Sequence, residues 1–288
     1  MKLGMSSYSL ANAIHSGEMT ILDVIQWTKD QGGEHIEIVP IGYTLTDNPE
    51  LVQDIVVKAK ELGIEISNYA IGADFLAGDD QHFAAELERV KKEVDIANAL
   101  GVKRMRHDVS FKPPTETGAE QFYQDLPKIV EACQEIADYA KQYDIVTSIE
   151  NHGFYIQSSD RVNMIVSLVN RPNFGHTLDI GNFVCVDEDP TVAIKKCISN
   201  ATMIHAKDFY VRPATWHNPG EGWFSSSGGK YLRGAITGQG DIDIKDILKT
   251  IKEYGYDGYL SIEFEGLEEC KKASKISIQN VRNIWEQI

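Results

Sequence analysis

Eight short β-rich runs recur along this chain, each followed by a longer amphipathic stretch, and that alternation constrains the fold more than any single motif. The runs lie at residues 3–7, 35–39, 64–69, 103–107, 145–150, 174–179, 203–206 and 259–264. Between them, at 21–29, 51–62, 86–100, 120–142, 160–169 and 244–254, apolar residues return at three- and four-residue steps, the period of a helix with one buried face. Strict strand–helix alternation implies a parallel sheet with the helices outside it. Eight such units, spaced by about thirty residues, fit a closed barrel better than an open doubly wound sheet. The Gly-rich dinucleotide fingerprint that would favour the open sheet is missing after the first run. The expectation is an α/β fold, a (β/α)8 barrel, with residues 1–288 forming a single domain.

Local chemistry agrees at the joints. The segments KELGIEI, NALGVKRM and KEYGYDGYLSI put glycine just past a helix and just before a strand, where a left-handed C-cap is wanted. Asp160 and Asp243 stand where an N-cap or first-turn carboxylate helps a helix begin. The longest connection, about residues 208–242, is rich in Gly, Ser, Pro and aromatics. It reads as a loop long enough to serve as a lid or binding element.

A chain of 288 residues buries enough apolar surface to fold without disulfide or metal staples. Its 28 Lys plus Arg against 43 Asp plus Glu give a net charge of −15, which repels a phosphate backbone and argues against a nucleic-acid partner. The four cysteines, Cys133, Cys185, Cys197 and Cys270, form no CxxC pair and read as reduced, buried thiols. No window has the roughly 18 apolar residues of a membrane span, and the first residues lack a signal-peptide pattern. A cytoplasmic protein with no membrane partner is expected.

In such a barrel the working face is formed by the C-terminal ends of the strands. The fifth run ends TSIEN at Glu150, the sixth GHTLDIGN at Asp179, the seventh MIHAKDF at His205 and the eighth LSIEFEG at Glu263. Taken singly, each is as well explained as a solvated cap, an ion-pair partner or a hydrogen-bonded core histidine. Together they bring up to three negative charges and an imidazole to one rim, where burial without a partner is unfavourable. One divalent cation is the simplest way to hold that set, and the donors suit Mn, Mg or Co ahead of Zn. Among other strand ends, Glu37, Asn68, Tyr69 and His107 are polar; His107 either binds substrate hydroxyls or orients Glu150. Trp216, His217 and Trp223 either stack on a sugar face or anchor the loop. A homodimer through that aromatic loop is compatible with the sequence. Lys207 and Asp208 read as an ion pair within the loop or as a lysine near the site. Arg104 and Arg106 either supply charged contacts or lie on strand faces away from the mouth.

The order Glu150, His176-Thr177-Leu178-Asp179, His205-Ala206-Lys207-Asp208, Gly238-Gln239-Gly240-Asp241 and Tyr256-Asp257-Gly258-Tyr259 leading to Glu263 resembles the xylose isomerase-like TIM-barrel superfamily. Within it, the chain is most similar to the sugar isomerase/epimerase branch that includes ketose 3-epimerases. The resemblance implies a metal held by Glu150, Asp179, His205 and Glu263, with Glu150 and Glu263 also the acid/base pair. It implies a histidine three residues after Asp179 on substrate oxygen; here that residue is Asn182, and His176 is the candidate replacement. Arg212 is near the place of a substrate-holding arginine, one residue out of step.

The implied chemistry is proton abstraction next to a carbonyl, through a metal-stabilised enediolate, on a small carbohydrate. Three alternatives stand beside it. A dehydratase of an inosose- or keto-acid-type substrate uses the same logic and eliminates water. A DNA-repair enzyme of the endonuclease IV type needs further metal ligands, whereas Asn182 and Leu232-Arg233-Gly234 stand where those would be expected. A non-catalytic sugar-binding barrel has no need of four such side chains.

Overall fold

The computed structural model describes residues 1–288. Its strands are β1 (Lys2–Ser6), β2 (His35–Ile38), β3 (Glu65–Ile71), β4 (Arg104–His107), β5 (Val146–Glu150), β6 (Phe174–Asp179), β7 (Ala201–Ala206), β8 (Asp208–Arg212), β9 (Phe224–Ser225), β10 (Tyr231–Ala235) and β11 (Tyr259–Ile262). Strands β1 to β7 pair in chain order, all parallel, and β11 closes the barrel between β7 and β1. The eight expected runs are therefore the eight barrel strands.

The helices on the outside begin and end where the sequence chemistry says they should. In Ile21–Asp30, Thr20 and Asp23 cap each other reciprocally. Asn48 accepts from the Leu51 N–H ahead of Pro49, and Asp243 accepts from the Asp246 N–H. Gly63 and Gly255 end their helices with φ of +59° and +82°, the left-handed conformation that a side chain disfavours. One continuous cluster of 63 buried residues lies between helices and strands, so the barrel and its coat form one core. The four cysteines are free and buried. No helix is long and apolar enough to cross a membrane.

The floor of the barrel is filled by Arg104, which lies over the Tyr259 ring at 4.9 Å and donates to the Thr202 carbonyl. This closes the N-terminal end and leaves the other end open. The segment expected as a long loop is instead an ordered insertion. Strands β8, β10 and β9 form an antiparallel sheet, with Asp208 opposite Ala235 and Arg212 opposite Tyr231. The buried Asp208 carboxylate fastens it, accepting from the N–H groups of Phe209, Gly238, Gly240 and Ile242. Asp208 is thus neither an ion-pair partner nor a loop charge. A Cβ at Gly234 would lie 1.7 Å from the Glu265 carbonyl, so only glycine lets β10 press against the chain leaving β11.

Candidate metal centre

Side chains alternate across a strand, so Glu150, Asp179, His205 and Glu263 at four strand ends point into the same mouth. One ligand atom from each lies within 4.8 Å of all the others, and all four residues are buried. His205 Nδ1 is 3.6 Å from Glu263 Oε2, 3.7 Å from Glu150 Oε1 and 3.9 Å from Asp179 Oδ2. Those gaps are too long for direct hydrogen bonds. His205 Nδ1 and Asp179 Oδ2 are buried without a hydrogen-bond partner. Buried polar atoms rarely go unpaired, and a cation between these donors would satisfy both.

The outer nitrogen of His205 is fixed from behind. Its Nε2 lies 2.9 and 3.1 Å from the two oxygens of Glu37, which also accepts from Asn68 Nδ2 at 2.8 Å. A carboxylate holding the far nitrogen is the arrangement that aims a histidine at a metal and makes it a better ligand.

Charge sharpens the case. Glu37, Glu150, Asp179 and Glu263 are buried together, while the side-chain cations that reach the three ligand carboxylates are Arg106, 2.6 Å from Glu150, and Lys207, 2.8 Å from Glu263. The carboxylates outnumber these two cations, which also pair with Asp108 and Glu265, and a divalent ion offsets the excess with His205 neutral. Burial acts to raise Glu150, but Arg106 and His205 outweigh it and hold it well below the usual carboxylate range. Glu263 is held low in the same way, by Lys207 and His205 against burial. Asp179 goes the other way: burial, with the charges of Glu263 and Glu150, overcomes Lys207 and pushes it up to about 7. Burial disfavours the His205 imidazolium, yet Glu37, Glu263 and Glu150 raise it well above its ordinary value. The residues fit a divalent metal.

Asn182, at the position where the resemblance implied histidine, is tied into this set. Its side-chain amide donates to Glu150 Oε1 at 3.0 Å, its backbone N–H donates to Asp179 Oδ1 at 2.8 Å, and Lys207 donates to its side-chain Oδ1. The other expected contacts lie elsewhere. His176 is buried behind β6, its Nε2 3.0 Å from Asn151 Oδ1; Asn151 in turn clamps both the N–H and the carbonyl of Asp179. His107 is buried beside Phe75 and Phe174, with Nδ1 on the Asp108 carbonyl. Arg212 pairs with Asp241 at 2.6 Å and lies near the rings of Tyr210, Trp216 and Trp223, which places these tryptophans in the packing of the insertion. The structure brings none of His176, His107 and Arg212 into the mouth.

Instead, a cavity of about 240 Å³ over the ligands is lined by Tyr8, Arg106, Asp108, His152, Lys207 and Glu265 among others. Tyr8 donates to Glu265, and His152 lies 3.4 Å from Asp108. Burial lowers His152, but Asp108 more than restores it and leaves the imidazole raised. Strand parity was the signal available for Arg106, which shares a face with the floor residue Arg104. Tyr8 and His152 follow strand ends directly, and that was their only mark.

The family's sequence pattern, xylose isomerase-like TIM barrel, matches residues 25–284. The chain belongs to that family. Among curated relatives, this xylose isomerase-like barrel is 24% identical over 182 residues to inosose dehydratase of Clostridium perfringens, an alignment covering 59% of this chain and 60% of that protein. It thus spans about 60% of that relative's length. Solved structures with the same fold include a D-tagatose 3-epimerase-like protein, at TM-score 0.73 and 19% identity, covering 100% of this chain and 99% of the other. Another is the IOLI protein with a bound zinc atom, at TM-score 0.74 and 20% identity, with coverage of 100% and 99%. At these identities the likeness is one of fold.

Proposed function

We propose that this barrel is a divalent-metal-dependent isomerase or epimerase of a small carbohydrate, which removes and returns a proton on the carbon next to a carbonyl. The observation that carries this reading is the pair of buried glutamates, Glu150 and Glu263, 3.7 and 3.6 Å from His205 Nδ1, the first paired with Arg106 and the second with Lys207. An ionised, oriented carboxylate is the base such a reaction needs.

Glu150, Asp179, His205 and Glu263 would hold the divalent ion, which would supply Lewis-acid stabilisation of charge on the carbonyl oxygen. Glu150 and Glu263 handle the proton. Acting on opposite faces, one takes it and the other returns it, inverting the carbon; one of them acting alone on one face moves the carbonyl instead. Arg106 and Lys207 orient these carboxylates, and Glu37 keeps the His205 ring aimed. The substrate-contact role expected of His176, His107 and Arg212 passes to Tyr8, His152 and Lys207, which line the mouth. His176 then serves from behind, holding Asn151 against Asp179.

A second reading keeps the base and loses water. The curated relatives carry the name inosose dehydratase, and Lys207 is a cation at the mouth, 2.8 Å from Glu263, able to hydrogen-bond a departing hydroxyl. One experiment separates the two. The Mn²⁺-loaded protein is incubated in deuterated water with ketoses, aldoses and inososes, and products are followed by NMR. Deuterium next to the carbonyl with every hydroxyl retained supports isomerisation or epimerisation, and a product lighter by one water supports dehydration. Seeing neither exchange nor loss of water on any of these substrates, aryl-substituted carbonyl sugars included, contradicts both. Glu150→Gln or Glu263→Gln is expected to slow exchange by about 10²–10⁴-fold.

A further inference from the structure

We infer that the substrate carries an apolar, ring-sized substituent beyond its sugar-like head, and that a second cavity beside the mouth binds that substituent. The inference rests on the mouth being the reaction site. The second cavity, about 520 Å³, is walled by Phe111, Phe154, Phe209 and Phe224, with Asn182 and Glu265 among its polar lining. It adjoins the mouth: His152 and Glu265 line both, and Asn182 reaches from it to Glu150. Whole small-molecule sites span about 300–1,000 Å³, so this space alone accommodates a group as large as a second ring. A free monosaccharide seated over the ligands would leave it unfilled.

The wall is held in place rather than left over from packing. Phe154 sits at φ +61°, a left-handed conformation that a bulky residue adopts only when its surroundings impose it. Gln157 imposes it, accepting from the Phe154 N–H while donating to the Asn182 carbonyl at 2.7 Å. The wall is thereby coupled to a residue that touches Glu150. Phe209 and Phe224 meet edge to face, 5.8 Å apart, and both come from the insertion sheet. Phe111 is 60% exposed and Phe224 39% exposed, so these rings keep apolar surface in water that an apolar guest would cover. No lysine or arginine lines this cavity, and Glu265 does; a phosphate or carboxylate substituent is disfavoured there. The chemical class is a carbonyl-bearing, glycoside-like molecule with an aromatic or similarly flat apolar group.

The test is equilibrium binding by calorimetry, with 4-nitrophenyl β-glucoside and methyl β-glucoside as probes, on the wild-type protein and on Phe111→Ala and Phe224→Ala. The aryl probe is expected to bind at least about tenfold more tightly than the methyl probe. Each variant should remove most of that difference while leaving the methyl probe unchanged. Equal binding of the two probes, no binding of either, or an aryl preference that survives both substitutions would overturn the inference. Deuterium exchange on unsubstituted ketoses without any aryl preference defeats this inference alone. Aryl preference without metal-dependent exchange on any carbonyl substrate, aryl-substituted ones included, defeats the proposed reaction alone.

Discussion

Asn182 and Glu37 show how much of this site is decided by residues that are not themselves metal ligands. Asn182 ties Glu150, Asp179 and Lys207 together, so the departure from histidine is absorbed into positioning the carboxylates. Glu37 fixes the outer nitrogen of His205, and Glu37→Gln should weaken divalent-metal affinity by about 10–100-fold with the fold intact; unchanged affinity in a metal-competition titration would show that the ring is held by something else. Protons follow the metal. In the metal-free protein His205 is raised well above its ordinary value and Asp179 lies at about 7, so both retain protons that an incoming cation must displace. Binding at pH 6 should therefore release protons, and affinity should climb as pH rises through 7. Calorimetry in buffers of different ionisation heat measures this, and a buffer-independent heat would refute it.

The insertion between β7 and β11 is the element that separates this barrel from a bare scaffold. Its sheet is anchored by one buried carboxylate accepting four backbone N–H groups. Asp208→Ala strands those donors and is expected to destabilise the protein by about 2–4 kcal/mol; a denaturant midpoint that does not move would mean water replaces the carboxylate. Barrel strands were legible in the sequence because short β-rich runs alternate with stretches of helical period, and the last four runs carry Glu150, Asp179, His205 and Glu263 at or near their ends. The insertion was not, because FYVR and YLRGA are short alternations separated by a stretch of Gly, Ser and Pro that reads as a loop. The four ligand candidates could be named from strand ends alone. Arg106 and Lys207 could not be placed, since a long side chain reaches the mouth or the rim according to backbone parity and local packing. His107 and His176 look the same as Asp179 or His205 in a string of letters, yet one residue of offset turns a side chain from the inside of a barrel to its coat.

At the scale of the whole molecule, the fold divides its labour along the barrel axis. The floor holds Arg104 over Tyr259, the coat forms one continuous core, and the buried carboxylates Glu37, Glu150, Asp179 and Glu263 are gathered at the open end. A net charge of −15 adds a long-range attraction for cations to the molecule as a whole. The most direct test of the account is a crystal grown with Mn²⁺ and measured at the manganese absorption edge. The account predicts one anomalous peak per chain, bonded to Glu150, Asp179, His205 Nδ1 and Glu263. A peak elsewhere, or none there with saturating Mn²⁺ and Lys207 still paired to Glu263, would contradict it.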